Sequence, residues 1–225
     1  ANREPVRSDF RGNSVANRPV NEELLNVEAG YRFKGRKLMA NANLYLMNYK
    51  NQLVLTGQIN EVGKGKRANV DKSYRAGIEL EVGYFIFKNL SVTANATYSQ
   101  NKIKEFTEYV VNYDSGEDDA FVHTNTDLSF SPNVIGAFGL NYEPIKGLNI
   151  GASAKYVSDQ YLDNTSNETR KLDAYFFSNF QLSYSLKDVL FKEIIFGVQL
   201  NNAFNKMYEN NGYTWAYTYS GTRTD

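Results

Sequence analysis

The only histidine of the chain, His123, is the side chain best suited to acid–base or metal chemistry, and it lies in a polar segment. A run of carboxylates precedes it, formed by Asp114, Glu117, Asp118 and Asp119. These groups could contact a metal or haem, but the run lacks the spacing of a calcium-binding loop, and no nucleophile motif accompanies the histidine. We therefore predict a protein that is not an enzyme, with no catalytic residue, no metal site and no cofactor. His123 remains a candidate ligand contact.

Aromatic side chains in polar segments are the stronger candidates for a binding role. Tyr161 lies in one such segment, and Tyr213, Trp215 and Tyr217 recur at every second residue in another. Such rings can stack on a sugar, a metal chelate or a corrin, but packing within a loop would use the same residues. We name these four residues, with His123, as the candidate ligand-binding set.

The charge of the chain gives little support for a polyanionic partner. Lys+Arg and Asp+Glu number 25 each, so nucleic acid is not expected as a partner. One small basic cluster, Lys64, Lys66 and Arg67, could meet an anionic ligand or a lipopolysaccharide phosphate, although the tip of a solvated loop is the simpler interpretation.

The elements that must position these residues are strands, because apolar and polar residues alternate with a period of two. In the second segment, for example, Leu38, Ala40, Ala42, Leu44 and Leu46 alternate with polar or larger neighbours. We count eight such segments, at 26–33, 38–47, 78–86, 90–98, 138–142, 148–156, 180–184 and 196–201.

The connections between these segments alternate in length. Those near Gly35, Asn89, Gly147 and Asp188 are brief, whereas 50–72, 100–131, 158–171 and 203–225 are long and polar. An up-and-down sheet with one trimmed end and one elaborated end is typical of outer-membrane β-barrels. The mean hydropathy of −0.52 does not oppose this, because a barrel wall is apolar only at every second residue.

Alternation alone does not say which face points outward. A soluble β-barrel or sandwich that binds a ligand would bury the apolar set, whereas a membrane barrel would turn it toward lipid. Two features favour the membrane: the apolar faces carry no charge, and tyrosines gather at their ends, such as Tyr31 and Tyr84 near the short turns and Tyr98 and Tyr156 near the long connections. The polar set, including Glu28, would then line the interior.

Several segments, in this order, resemble the later strands of TonB-dependent outer-membrane receptors. The resemblance covers nearly the whole chain, and its most distinctive part is the Leu-Asn-Asn-x-Phe-Asn-Lys stretch at 200–206. The other segments that carry it are 1–10, 28–32, 43–54, 75–81, 131–133 and 160–165.

The resemblance implies a partial, all-β, antiparallel up-and-down transmembrane β-barrel: about eight consecutive strands of a barrel of about 22 strands, with short periplasmic turns and long extracellular loops. We expect residues 1–225 to form one partial barrel domain, with a loop-like segment at 1–21, strands and loops over 22–205, and an extracellular loop at 206–225. The plug domain and the final strand would lie outside this sequence.

The resemblance also implies a ligand-gated receptor and transporter in the outer membrane of a Gram-negative bacterium. Its partners would be outer-membrane lipid, the TonB energy-coupling complex acting through the plug, and a small-molecule or glycan ligand. That ligand is an iron chelate, haem, cobalamin or a glycan, and the residues do not select among them.

Overall fold

The computed structural model describes residues 1–10, 18–59 and 65–225. Within these ranges the regular structure consists of fourteen β-strands. They are β1 (Asn2–Arg3), β2 (Glu22–Lys34), β3 (Leu38–Ile59), β4 (Gly65–Phe87), β5 (Leu90–Asn112), β6 (Asp118–Asp127), β7 (Val134–Ile145), β8 (Leu148–Val157), β9 (Gln160–Tyr161), β10 (Lys171–Leu172), β11 (Tyr175–Lys187), β12 (Glu193–Leu200), β13 (Tyr217–Tyr219) and β14 (Thr222–Thr224). Among the described residues, no helix is long and apolar enough to cross a membrane.

Eight long strands form the wall of the sheet, and they are the eight that the alternation predicts. Their order is β2-β3-β4-β5-β7-β8-β11-β12, and each is antiparallel to its neighbours. In the described part of the chain β2 and β12 are not paired to each other, so the sheet is open. The predicted all-β, up-and-down architecture is confirmed.

The strand register joins the apolar sets of all eight strands into one face. Leu44 pairs with Ile78, Ile78 with Tyr98, and Tyr98 with Val134, and the same pattern continues through Leu140, Ala152, Phe180 and Leu200 to the last wall strand. A soluble barrel or sandwich would bury this face, but Leu44 is 58% and Leu80 is 43% exposed. The arrangement is that of a wall whose apolar face is covered by lipid.

One end of the sheet consists of tight turns, as predicted. The turn between β7 and β8 shows why its sequence suits it: Gly147 has a φ of +88°, and a Cβ there would lie 2.6 Å from the backbone oxygen of Ser185. A residue with a side chain would therefore be strained in conformation and also clash with the neighbouring strand.

The opposite end, which we call the outer end, differs from the prediction in its secondary structure. Most of the predicted connections 50–72 and 100–131 belong to strands, because β3 and β4 continue to Ile59 and Gly65, and β5 continues to Asn112 before returning as β6. The sequence did not predict these strands because apolar runs such as Leu53–Leu55 and polar pairs such as Lys104 and Glu105 interrupt the alternation, although backbone pairing continues. Lys64 of the predicted basic cluster lies outside the described residues.

The other two long connections are largely irregular, as predicted. The segment 158–171 contains only the short β9–β10 pair, and 203–225 contains only the small β13–β14 hairpin. Near the beginning of the chain, β1 pairs with the start of β2, and residues 11–17 lie outside the described residues.

The buried core lies at the outer end and not in the wall. Val54, Val70, Ile103, Phe106 and Leu128 form one cluster between the extensions of β3, β4 and β5 and the chain that follows β6. The 158–171 segment closes over this region through Asn164, which is 0% exposed. The Asn164 side-chain amide donates to the Leu55 carbonyl at 2.7 Å, and its side-chain oxygen accepts from the Ser129 amide at 2.9 Å.

We expect Asn164→Ala to loosen this segment, because two backbone groups lose their partner, at a cost of about 1–3 kcal/mol. The measurement is the rate of proteolysis within 158–171 in the purified protein. Asn95→Ala, on the exposed polar face of the wall, is the matched control and should leave the rate unchanged. Equal rates for both variants would contradict the anchoring role.

Candidate functional site

A groove of about 710 Å³ opens at the outer end of the sheet, between the β5 extension, the 162–170 segment and the 212–217 segment. We call it the outer groove. Its wall is mostly aromatic and apolar, with charged groups at its base and side. The aromatic lining residues are Phe106, Tyr109, Tyr113, Phe130, Tyr213, Trp215 and Tyr217, and the charged ones are Lys66, Glu108, Asp118, Asp163 and Arg170.

Three of the five predicted ligand contacts lie together in this groove. Tyr213 and Trp215 are 81% and 63% exposed, and their ring centroids are 5.9 Å apart with an interplanar angle of 30°. Tyr217 is less exposed and meets Tyr113 edge to face at 6.0 Å. Two adjacent, exposed rings in a concave site can contact the flat face of a ligand without being withdrawn from a core.

Tyr161, the fourth predicted contact, does not line the outer groove. Its hydroxyl donates to Glu168 at 2.6 Å, and the Lys171 ammonium lies 5.1 Å from the centre of its ring. The hydrogen bond to Glu168, together with burial, raises the pKa of Tyr161 to about 12. The ring is engaged in holding the 160–172 segment.

His123, the fifth predicted contact, also lies outside the groove lining. Its Nε2 atom is 3.1 Å from Glu108 Oε2, and its ring stacks on Phe106 at 6.4 Å. Glu108 and Phe106 both line the outer groove, so His123 supports its wall from behind.

A cluster of ion pairs, which sequence reasoning missed, contributes Glu108, Asp163 and Arg170 to the lining of the outer groove. Arg170, only 4% exposed, donates through Nη1 to Glu108 at 2.8 Å and to Asp163 at 2.7 Å, and through Nη2 to Asp225. Arg223 donates to both carboxylate oxygens of Glu108, at 3.0 and 3.1 Å. We call these five residues the arginine cluster. Its members are up to 117 positions apart along the chain, from 108 to 225, and no local pattern marks them.

Contacts within the arginine cluster favour the charged forms of Arg170 and Asp225. Burial alone would lower the pKa of Arg170, but hydrogen bonds to Glu108 and Asp163 outweigh it and raise that pKa. Burial would raise the pKa of Asp225, but Arg223 and Arg170 outweigh it and lower that pKa. Among the described residues, Arg170 Nε is buried without a hydrogen-bond partner.

The acidic run at 114–119 also has a structural role. Asp114 accepts hydrogen bonds from the backbone amides of Ser220 and Gly221, both at 2.8 Å, and Asp119 accepts one from the Thr218 hydroxyl at 3.1 Å. These carboxylates hold the β13–β14 hairpin against the end of β5. No group of three or more histidine or carboxylate side chains in the described ranges is arranged to hold a metal ion.

An open antiparallel wall with one apolar face, tight turns at one end and an aromatic-lined groove at the other defines a segment of an outer-membrane-type β-barrel. Residues 7–205 match the family model described as TonB dependent receptor-like, beta-barrel. The chain belongs to this family of TonB-dependent receptor β-barrels.

Solved structures with the same fold are themselves receptors and transporters. The siderophore receptor PiuA from Acinetobacter baumannii is 20% identical, with a TM-score of 0.66, over 90% of this chain and 27% of that chain. The copper transporter OprC is 20% identical, with a TM-score of 0.65, over 92% and 31%. The ferric citrate transporter FecA is 22% identical, with a TM-score of 0.62, over 84% and 27%. The chain thus spans about a quarter to a third of the length of these proteins.

Replacing Arg170 by Met should release the 212–225 segment from the outer groove. Asp163 would lose a buried partner while Arg223 still compensates Glu108, so we expect the free energy of local opening to fall by up to about 3 kcal/mol. Hydrogen exchange of the 217–224 amides measures the change. Arg36→Met, at an exposed turn, is the control, and unchanged protection in the Arg170 variant would contradict the docking role.

The docking of the same segment should weaken in acid. Because the pKa of Asp225 is lowered in the folded state, its contribution is fully present above the ordinary aspartate value of about 3.9 and is lost as the pH falls through the lower folded value. Protection of the 217–224 amides, corrected for intrinsic exchange rates, should therefore decline below about pH 4. In Asp225→Asn this part of the decline should be absent; identical pH profiles would refute the assignment.

Proposed function

We propose that the chain forms part of the barrel wall and of the ligand-capturing end of a receptor that takes up a scarce nutrient across the outer membrane of a Gram-negative bacterium. The observation that carries the proposal is the outer groove, with the exposed pair Tyr213 and Trp215 in its lining. We assign residues 1–225 to one barrel domain.

The two faces of the wall support this role. The continuous apolar face suits contact with lipid, and tyrosines at its ends suit the boundary between hydrocarbon and water. The opposite face carries exposed carboxylates such as Glu79 and Glu81, with Asn43 and Asn41 across the strand pair at 3.4 Å. A polar interior of this kind is suited to a hydrated lumen filled by a separate plug, through which the TonB complex would supply energy for uptake.

The ligand is bound, not chemically changed, in this proposal. His123 is occupied by Glu108, and Arg170 by three carboxylates, so these groups shape the groove and do not act on a substrate. The exposed rings of Tyr213 and Trp215 suit stacking on the flat face of an iron chelate, haem, a corrin or a sugar. The solved structures of similar fold are named as a siderophore receptor, a copper transporter and a ferric citrate transporter. These names are consistent with a metal chelate as the ligand of this chain.

Growth and uptake on candidate chelates, haem, cobalamin and glycans test the proposal, in cells with the full-length gene deleted and then restored. The restored gene carrying Tyr213→Ala and Trp215→Ala should bind its ligand about tenfold more weakly, since each aromatic contact contributes about 0.5–1.5 kcal/mol. Tyr219→Ala is the control, because Tyr219 is 62% exposed but does not line the outer groove.

Two results would oppose the proposal. One is that deletion changes uptake of none of these ligands. The other is that the double variant takes up the ligand as well as the unaltered receptor, which would remove the outer groove from ligand capture.

A further inference from the structure

A second groove, of about 640 Å³, lies where β2, β3, β4 and β5 leave the apolar band. We call it the lysine groove. The lining residues that matter to its chemistry are Leu25, Asn48, Lys50, Lys72, Tyr74 and Lys104.

The lysines of this groove lie on the lipid-facing side of the wall. Leu44 pairs with Ile78, and six residues further along the unbroken register Lys50 pairs with Lys72. Because side chains alternate with a period of two, an even step keeps the same face. Lys50 and Lys72 therefore project from the same face as Leu44 and Ile78. On the neighbouring strand, Ile103 of β5 pairs with Ser73 of β4. The residue beside Lys72 on β5 is therefore Lys104, which projects from the same face.

The depth of the lysine groove matches the polar boundary of a membrane. Along β4 the outward residues are Ile78, Ala76, Tyr74 and then Lys72, so an apolar stretch ends in a tyrosine and the first charge follows. Lys72 lies about 7 Å beyond Tyr74 along the strand. A tyrosine marks the edge of the hydrocarbon, and the headgroup phosphates of lipids occupy the layer just beyond it.

The protein balances the positive charges of the groove only in part, through Glu23, which also lines it. Lys50 and Lys72 are directly opposite each other across two strands, where like charges are destabilising. The ammonium group of Lys50 lies 3.8 Å from the carboxylate of Glu23, and their side chains are 65% and 49% exposed. Within residues 1–10, 18–59 and 65–225, neither Lys72 nor Lys104 has an ion-pair or hydrogen-bond partner. An anion between these ammonium groups would relieve the repulsion.

We propose that the lysine groove binds the phosphate groups of an anionic lipid headgroup in the outer leaflet, with Leu25 and Tyr74 against the first part of its acyl region. The site depends on the membrane orientation in the proposed function but not on the ligand that is transported. It gives the wall a fixed point of contact with the lipid around it.

The test uses the full-length receptor in neutral detergent, with lipid A carrying two phosphates as the probe and native mass spectrometry as the readout. Lys72→Gln with Lys104→Gln should weaken binding about 25-fold, about fivefold for each cation near an anionic headgroup. Lys72→Arg with Lys104→Arg should retain it. Lys88→Gln with Lys146→Gln, two exposed lysines at the short turns, is the matched control and should bind as the unaltered receptor does.

Three outcomes would overturn the proposal: equal binding of lipid A stripped of its phosphates, unchanged binding by the Lys72 and Lys104 glutamine variant, or displacement of the lipid by an equal concentration of inorganic phosphate. The last would show a site for free phosphate.

Ligand uptake separates this proposal from the previous one, because the glutamine variant should still take up the transported ligand. If the unaltered receptor takes up its ligand but does not bind lipid A, only the proposed lipid site is refuted. If it binds lipid A but takes up none of the candidate ligands, only the proposed transport function is refuted.

Discussion

The register shared by the eight wall strands is the constraint on which the rest of the structure depends. Backbone groups in hydrocarbon have no water to bind, so each must be satisfied by a neighbouring strand. Side chains alternate, so a slip of one residue would turn a whole apolar set to the other face. The unbroken pairing from Leu44 and Ile78 to Tyr98 and Val134 prevents this. It also fixes where each strand emerges, and therefore where the outer groove can form.

Beyond the apolar band, the structure is stabilised by other interactions than contact with lipid. The outer end is held by a small buried core and by the arginine cluster, in which Arg170 and Glu108 are almost completely buried. An ion pair at such a site stabilises weakly in net terms, because desolvation offsets attraction, but the loss of either partner is costly. The cluster therefore acts mainly on geometry: it allows one placement of the 212–225 segment over β5, and the rings of Tyr213 and Trp215 follow from that placement.

The wall could be predicted from the sequence because its signal is local. The alternation of apolar and polar residues shows which face of the sheet each residue occupies, and short turns mark where neighbouring strands meet. The eight strands and their order therefore follow from the sequence. The outer extensions of β3 to β6 could not be predicted, because neighbouring polar residues such as Lys104 and Glu105, and neighbouring apolar residues such as Val110 and Val111, interrupt the alternation there. Among the residues that line the outer groove, Tyr213, Trp215 and Tyr217 were named as candidates from the sequence, because their aromatic spacing is visible in one segment. Glu108, Asp163 and Arg170 were not, because their meeting depends on pairings far apart along the chain. Tyr161 and His123 lie near the groove but serve its support.

Because the buried core lies at the outer end, the wall and the outer end respond to different changes in lipid and solvent. The wall is stabilised by lipid on one face, whereas the cluster around Ile103 is stabilised by exclusion of water. In β3, β4 and β5, the half of the strand in the wall and the half at the outer end are therefore stabilised by different surroundings. Thinning the bilayer or changing the detergent acts on the half in the wall, and urea or cold acts on the half at the outer end. β5 combines the two environments in one strand, because it pairs with β4 and β7 in the wall and contributes Ile103 and Phe106 to the buried core at the outer end.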